Sequence, residues 1–283
     1  MDEGPSRTAL ATAHARARHQ VADRPLILTD PVVARLLGVT AEELAASVEP
    51  GPGGGADCWP RRLFFAARAR FAEDRVAAAA AAGVRQVVVL GAGLDTFAHR
   101  NPHPDVHVFE VDHPATQAWK RRRLAAAGIE QPATLTFAPL DFETGALAEA
   151  LQSAGFSRAE PAVFAWLGVV FYLTPDTVRA TLDHIAGQAR PVEVVFDYLQ
   201  PAETEEERAQ LQERADRVAA AGEPWFSYFT PDGIAAQLRS LGFTDVEDRS
   251  AAELVAGYLD GAVEFEGEPA RALRASRVLR ASR

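Results

Sequence analysis

Cysteine is almost absent from this chain of 283 residues, and so are long apolar runs. Cys58 is the only cysteine, which excludes an intramolecular disulfide and a metal cluster held by several cysteines. No stretch approaches the roughly 18 consecutive apolar residues of a membrane span. The N-terminal region is interrupted by Arg16, Arg18, Asp23 and Arg24, so it does not resemble a signal peptide. These absences predict a soluble, cytoplasmic protein.

Positive charge is also scarce. The chain has 29 Lys and Arg residues against 39 Asp and Glu residues, and its formal net charge is −10. An acidic protein is repelled by the phosphate backbone of nucleic acids. The run from Lys120 to Arg123 is basic, but no aromatic residues interleave with it. We therefore expect neither a nucleic-acid partner nor a membrane partner, and a small molecule as substrate.

The chain does contain an apolar strand followed by a glycine turn. Val87–Leu90 is a short, β-branched run typical of a strand buried on both faces of a parallel sheet. The glycines after it allow a ligand to approach the backbone closely. A second apolar strand, Val106–Asp112, ends in an acid about 20 residues after that turn, an arrangement that holds an adenosine ribose by its hydroxyls. The predicted cofactor-binding residues here are Gly91, Ala92, Gly93 and Asp112, with Glu110 as the alternative acid.

The glycine pattern also favours one kind of adenosine ligand. Thr96 stands where a dinucleotide fingerprint has its third glycine, so a pyrophosphate fits less well than a ligand without phosphate, such as S-adenosylmethionine. The chain also lacks an evident Tyr-x-x-x-Lys catalytic pair, which argues against a nicotinamide-dependent oxidoreductase, because Lys120 is the only lysine. The glycines alone are a weak signal, for which a structural turn is the alternative, and Asp112 strengthens the interpretation as a ligand site.

Predicted strands and helices alternate along most of the chain. Further strands are expected at Thr134–Leu140, after Pro161 and at Val192–Tyr198, and two late segments, Phe243–Asp248 and Ser276–Ala281, predict an antiparallel pair. The fold class is therefore α/β, with a Rossmann-like sheet that is mostly parallel apart from its last strand pair.

The chain is predicted to be one domain. We expect a helical cap at 1–82, which includes a glycine-rich loop at Gly51–Gly55, and a cofactor-binding core at 83–199. Residues 200–229 interrupt the alternation of strand and helix with a charged helix, which predicts a lid over the substrate. Residues 230–283 complete the core.

The motifs Val-Leu-Gly-Ala-Gly-Leu-Asp-Thr, Phe-Glu-Val-Asp-His-Pro and Lys-Arg-Arg closely resemble those of the leucine carboxyl methyltransferase-like family, in particular its bacterial branch. The resemblance covers nearly the whole chain. It implies a class I methyltransferase fold with N-terminal helices and a lid, and S-adenosyl-L-methionine as the cofactor.

The resemblance also implies roles for single residues. An arginine in the helix before the first strand reaches the methionine carboxylate in the family, and Arg68 matches it best, with Arg70 as the alternative. Asp141 is expected to accept a hydrogen bond from the adenine amine and Phe142 to lie against the ring, although Asp141 also suits a helix cap. Leu167 stands where many relatives have Glu, which puts the contact made by that acid in doubt.

The acceptor site is expected beyond the fourth strand. Its predicted substrate-binding residues are Tyr172, Tyr198 and Trp225, within an apolar wall that also includes Trp166, Leu167, Phe171 and Phe229. Aromatic residues at strand ends are as often part of the core. No catalytic residue and no metal site are assigned. If a general base is needed, Asp197, Tyr172 and Tyr198 are the candidates, and the strand-end residues His99 and His113 are interpreted as loop histidines.

The sequence thus predicts an S-adenosylmethionine-dependent O-methyltransferase acting on a carboxyl or hydroxyl group of a small, largely apolar molecule. An apolar acceptor is expected because few charges are evident around the predicted wall. The alternatives are a nicotinamide-dependent oxidoreductase and a non-catalytic protein that binds an adenosyl ligand.

Overall fold

The computed structural model describes residues 6–46, 58–142, 145–261 and 273–283, so the glycine-rich loop at Gly51–Gly55 lies outside the described residues. The described residues form a seven-stranded sheet in the order β3-β2-β1-β4-β5-β7-β6. The strands are β1 Gln86–Leu90, β2 His107–Asp112, β3 Leu135–Pro139, β4 Ala162–Trp166, β5 Val192–Leu199, β6 Asp245–Ser250 and β7 Ser276–Ser282.

Parallel pairing joins the first five strands, and β7 runs antiparallel to both of its neighbours. In the central pair, Val88 of β1 lies opposite Phe109 of β2 and Phe164 of β4. Every residue of β1 and of β4 is buried, as expected for strands covered by helices on both faces. The predicted fold class, including its antiparallel last pair, is confirmed.

Helices cover both faces of the sheet and its carboxyl edge. They are α1 Arg7–Ala22, α2 Val33–Leu37, α3 Ala41–Ala46, α4 Trp59–Ala81, α5 Pro114–Ala126, α6 Leu147–Ser153, α7 Pro175–Ala186, α8 Glu205–Ala220, α9 Pro231–Ser240 and α10 Ala251–Tyr258. Threonine caps begin several of them: Thr174, Thr204 and Thr230 each accept a backbone N–H from the first turn of their helix.

The main core lies between the sheet and helices α6, α7 and α9. It contains the large buried side chains of Phe164, Trp166 and Phe196. A second apolar cluster packs α4 and α10 on the opposite face, around Val195 and Val278. Together they fix the carboxyl edge of the parallel strands, where functional residues of open α/β sheets collect.

Two features of the fold differ from the sequence-based expectation. Helix α10 was not predicted, and the last strand pair begins with β6 at Asp245 rather than at Phe243. Phe243 is 1% exposed and packs in the main core just before the strand, which explains its strand-like apolar character. None of the described helices is long and apolar enough to cross a membrane. The division into cap, core and lid stays a prediction.

Candidate active site

A cavity of about 800 Å³ lies at the carboxyl ends of β1 and β4. These two strands are neighbours, but the chain leaves β1 toward β2 on one side and leaves β4 toward β5 on the other. Ligands of open α/β sheets bind at such a switch in strand order. Helices α1 and α4 and the segment from α8 to Phe226 form the remaining walls.

The glycine turn after β1 forms the floor of the cavity. Gly91 has a φ of 63°, and a Cβ there would lie 2.3 Å from a methyl carbon of Val169. Glycine is therefore required both by the backbone conformation and by the close approach of the segment after β4. The N–H of Gly93 donates to the carboxylate of Asp112, which ties the turn to the end of β2.

Asp112 lines the cavity and is held from two sides. Its second carboxylate oxygen accepts the N–H of His113 at 2.6 Å. Burial raises the pKa of Asp112, and these two backbone hydrogen bonds oppose that shift. The carboxylate is therefore fixed in orientation with part of its surface facing the ligand space.

Glu110, the alternative acid, is fully buried and pairs with Lys120, whose Nζ lies 2.6 Å from Oε2. Burial raises the pKa of Glu110 to about 7. Glu110 does not line the cavity, so the structure favours Asp112 over Glu110 as the acid that faces a ligand.

Thr96, the residue that replaces the third fingerprint glycine, has a structural task. Its buried hydroxyl donates to Asp30 at 2.7 Å and accepts from Arg100 at 3.2 Å. Asp30 in turn accepts the N–H groups of Val32 and Val33 at the start of α2. Thr96 therefore joins the glycine turn to the N-terminal helices, a link that glycine could not make.

Arg68 enters the cavity from α4. Its guanidinium pairs with the buried carboxylate of Asp197 at the end of β5, and it lies 4.7 Å from the centre of the Phe65 ring. Asp197 also accepts the N–H of Gly168, which follows β4. Arg70, two residues on, points to solvent and pairs with Asp74 at 2.7 Å, so only the preferred candidate faces the cavity.

The remaining predicted cofactor residues lie around the same space. Asp141 and Phe142 follow β3, and Leu167 follows β4, and all three line the cavity. The eight predicted cofactor residues are thus brought together, although they come from four strand ends and a helix. The set contains apolar surface, an oriented carboxylate and a guanidinium, which fits the ribose, adenine and amino-acid parts of S-adenosylmethionine.

Comparison with known proteins agrees with this geometry. Residues 9–186 match the sequence model of the family described as leucine carboxyl methyltransferase. The chain belongs to the leucine carboxyl methyltransferase family. It is 30% identical over 270 residues to YktD of Bacillus subtilis, which is named as an S-adenosyl-L-methionine-dependent methyltransferase, and the match covers 87% of this chain and 88% of YktD.

A second relative, Rv3787c of Mycobacterium tuberculosis, carries the same functional name and is 37% identical over 200 residues. That match covers 66% of this chain and 64% of the mycobacterial protein, so this chain spans less than two thirds of its length. The family and its relatives identify this protein as an S-adenosylmethionine-dependent methyltransferase.

Solved structures of low sequence identity share the fold. A methyltransferase structure from Thermobifida fusca superposes with a TM-score of 0.57 at 18% identity and covers all of this chain and 96% of its own. A DUF574 family protein from Streptomyces avermitilis gives a TM-score of 0.54 at 13% identity, with 99% and 98% covered.

In this methyltransferase, the predicted acceptor wall is only partly at the cavity. Leu167, Phe171, Tyr172 and Trp225 line it. Trp166 is fully buried in the main core, and Phe229 packs against the same core. Their assignment to the wall was wrong, and the alternative of core packing holds for both.

Tyr198 is also absent from the cavity lining. Its ring is 1% exposed, and its hydroxyl donates to Asp248 of β6. Successive residues of a strand point to opposite faces, and Asp197 and Leu199 are the neighbours that face the cavity. The structure therefore gives no support to Tyr198 as a substrate-binding residue or as a base.

The other candidate bases are constrained. Asp197 is occupied by Arg68 and Gly168, and burial raises the pKa of Tyr172, which keeps its phenol protonated. His113 lines the cavity but caps α5 through Nδ1, which accepts the N–H of Ala115 at 3.2 Å. His99 does not line it. Across the part of the chain that the structure describes, no group of three metal-ligating side chains is assembled.

Sequence reasoning missed the arginines and the acid that surround the outer cavity. Arg61 lines it from the first turn of α4, and Arg214 and Arg217 line it from α8. Glu223 follows α8 and accepts the backbone N–H of Arg7 at 2.8 Å, at the start of α1. Charged residues on an exposed helix such as α8 give no periodic signal of a cavity, so only the packing of α8 over the sheet edge reveals Arg214 and Arg217.

Proposed function

We propose that this methyltransferase transfers the cofactor methyl group to a carboxyl or hydroxyl oxygen of a small acceptor with a largely apolar body. The observation that carries the proposal is the apolar surface formed by Leu167, Phe171, Tyr172 and Trp225 beside the glycine turn. An apolar body gains about 25 cal/mol for each Å² removed from water on such a surface.

We assign the cofactor half of the cavity as follows. The turn at Gly91, Ala92 and Gly93 allows the ligand to approach the backbone, and Asp112 accepts hydrogen bonds from the ribose hydroxyls. Asp141 and Phe142 contact the adenine, and Leu167 packs near the reacting end. Arg68 binds the methionine carboxylate, for which a guanidinium is suited because it offers parallel N–H donors.

Methyl transfer is a displacement in which the acceptor oxygen, the methyl carbon and the sulfur lie in line. When bound, S-adenosylmethionine supplies an electrophilic methyl group. The protein has to orient the acceptor and exclude water, which the walls of α1, α4 and α8 would do.

The state of the candidate bases favours a carboxyl acceptor over a hydroxyl acceptor. A carboxylate already carries the attacking electron pair and needs no proton removed, whereas a hydroxyl often needs a general base. Asp197 is committed to Arg68, and Tyr172 stays protonated. The predicted lid, residues 200–229, would close over the acceptor during transfer.

The test uses purified protein, methyl-labelled S-adenosylmethionine and a metabolite extract. We expect calorimetric binding of S-adenosylmethionine and S-adenosylhomocysteine but not of nicotinamide cofactors, followed by label in a small-molecule fraction. Mild base releases the label as methanol from a carboxyl ester and leaves it in place in an ether. A base-stable label that is carried by a nitrogen atom would contradict the proposal. Label that appears only in protein or nucleic acid would also contradict it.

A further inference from the structure

Helix α4 places two arginines at different depths of the cavity. Only a short connection separates Ala81 from Gln86, so α4 runs antiparallel to β1 and its first turns project beyond the carboxyl edge of the sheet. Arg68 lies at that edge, beside Gly168 and Asp197. Arg61 precedes it by two turns, or roughly 10 Å along the helix. The cavity therefore has an inner end at Arg68 and an outer end at Arg61.

Arg214 reaches the outer end from the other side. Its guanidinium lies 5.3 Å from the centre of the Trp225 ring, and Trp225 in turn packs edge-on against Phe171 with ring centres 5.7 Å apart. The arginine is thus held by an aromatic face on the acceptor wall. A guanidinium stacked in this way keeps its N–H donors in the plane of the group, where they can meet a planar anion.

In the part of the chain that the structure describes, Arg214 lacks the carboxylate partner that other cavity arginines have. Arg16 pairs with Asp95 and Arg68 with Asp197, and Arg217 on the same helix pairs with Glu213. Within the described ranges, no Asp or Glu lies at ion-pair distance from Arg214. Glu223, the acid of the outer cavity, is instead bound to the backbone N–H groups of the first turn of α1.

The electrostatics of the outer end agree with this geometry. Burial, followed by the positive charge of Arg61, lowers the pKa of Arg214 to about 9. Burial likewise lowers the pKa of Arg61. A bound anion would offset the lost hydration of Arg214 and the repulsion that it receives from Arg61.

We propose that the outer end of the cavity binds a carboxylate that the acceptor carries at the end remote from its methylated oxygen, with Arg214 as the principal ligand and Arg61 adding positive charge. The inference rests on the proposed methyl transfer. The favoured acceptor is then an elongated acid whose apolar body lies along Phe171 and Trp225. A carboxylate is preferred over a phosphate because the neighbouring wall is aromatic and a single planar charge suits one stacked guanidinium.

The first experiment measures binding without turnover. Protein loaded with S-adenosylhomocysteine is titrated by calorimetry with benzoate, phenylpropionate and suberate, with the matching amides and with inorganic phosphate. The wild-type protein should prefer at least one acid over its amide by about tenfold to a hundredfold, the range of a charge-assisted hydrogen bond. Arg214→Gln should abolish that preference while its affinity for S-adenosylhomocysteine is unchanged.

Arg208→Gln is the matched control, because Arg208 lies on the same helix, is exposed and pairs with Glu205. It should keep the wild-type preference for the acid. Equal binding of acid and amide by the wild-type protein, tighter binding of phosphate, or an acid preference that survives in Arg214→Gln would each overturn the inference.

The second experiment examines the labelled product from a metabolite extract. A product that keeps its remote carboxylate is retained by an anion exchanger at neutral pH, and Arg214→Gln should form much less of it than Arg208→Gln does. A neutral or cationic product overturns the inference but leaves the methyl transfer standing. Absence of any labelled product, together with acid-selective binding, would instead overturn the proposed function and support the anion site.

Discussion

Arg68 and Asp197 form a buried ion pair that joins α4 to the end of β5 inside the cavity. Asp197 also accepts the N–H of Gly168, so one carboxylate fixes both the arginine and the turn after β4. A Cβ on Gly168 would lie 3.1 Å from the guanidinium of Arg68. The pair therefore fixes the guanidinium of Arg68 at the carboxyl edge of the sheet with little freedom to move.

The first prediction concerns this arginine. In the double variant Arg68→Gln/Asp197→Asn, affinity for S-adenosylhomocysteine should fall by about 1.5–3 kcal/mol, as for a lost hydrogen bond to a charged group. Affinity for methylthioadenosine, which lacks the amino-acid part, should stay the same. Calorimetry with both ligands measures the difference. The second substitution is included because Asp197 left buried without a partner would cost about 3–5 kcal/mol of stability.

Arg70→Gln is the matched control for that experiment. Arg70 lies on the same helix but pairs with Asp74 at the surface, so its loss should leave both affinities unaltered. If the double variant lost affinity for the two ligands equally, Arg68 would be acting on the whole site and not on the methionine carboxylate.

The second prediction concerns Asp112. Asp112→Asn should weaken binding of S-adenosylhomocysteine by about 1–3 kcal/mol, because a charged acceptor of the ribose hydroxyls is lost. The asparagine can still accept the N–H of Gly93, so the turn should persist. A deoxyribose analogue of the ligand should bind both proteins equally in calorimetry.

Asp105→Asn changes an exposed acid before β2 and serves as the control, for which no effect is expected. An Asp112→Asn variant with wild-type affinity would remove the ribose assignment.

The third prediction concerns pH. Burial lowers the pKa of His99 to about 4, so the folded protein keeps this ring neutral while the unfolded chain takes up a proton near pH 6.5. The unfolded state therefore binds more protons between these values, and the free energy of unfolding falls as pH falls through this window. The slope from one group is at most about 1.4 kcal/mol per pH unit. His99→Leu should make the decline shallower in urea titrations across this range.

Two other groups act in the same range of pH. Burial also lowers the pKa of His184 to about 4, so His184→Leu should flatten the decline further. Glu110 acts in the opposite direction, because its raised pKa, about 7, keeps it protonated in the fold while the unfolded chain ionises. The contribution of Glu110 to the free energy of unfolding falls as pH rises from about 4.5 to 7.

Parallel stability curves for wild-type and His99→Leu would contradict the prediction for His99, as would an NMR titration of His99 near its ordinary pKa.

The carboxyl edge of the sheet could be predicted from sequence because buried parallel strands are apolar and end in glycine or acid. That pattern correctly located Gly91, Gly93 and Asp112 at one cavity. Helix α10 was overlooked although its signal was present, since Ser250 and Glu253 form a capping box.

The acceptor side was less predictable from sequence. The alternation of β5 could have excluded Tyr198 once Asp197 was placed at the cavity. No local pattern could locate Arg214, because α8 contributes no residue to the core and its position over the sheet edge depends on contacts with residues distant in sequence, such as the ion pair between Glu207 and Arg274.

The last prediction concerns the lid. Helix α8 contributes no buried residue to the core, while the segment after it is fixed by Ser227, whose hydroxyl donates to the carbonyl of Val170 at 3.0 Å. Replacing Glu205–Ala220 with a glycine-serine segment of equal length should therefore leave the fold and S-adenosylhomocysteine binding largely intact. Turnover should be abolished, because a flexible segment cannot exclude water or hold the acceptor. Calorimetry and label transfer in a metabolite extract measure the two effects. A variant that binds the cofactor product and still turns over at the wild-type rate would show that α8 is not a lid.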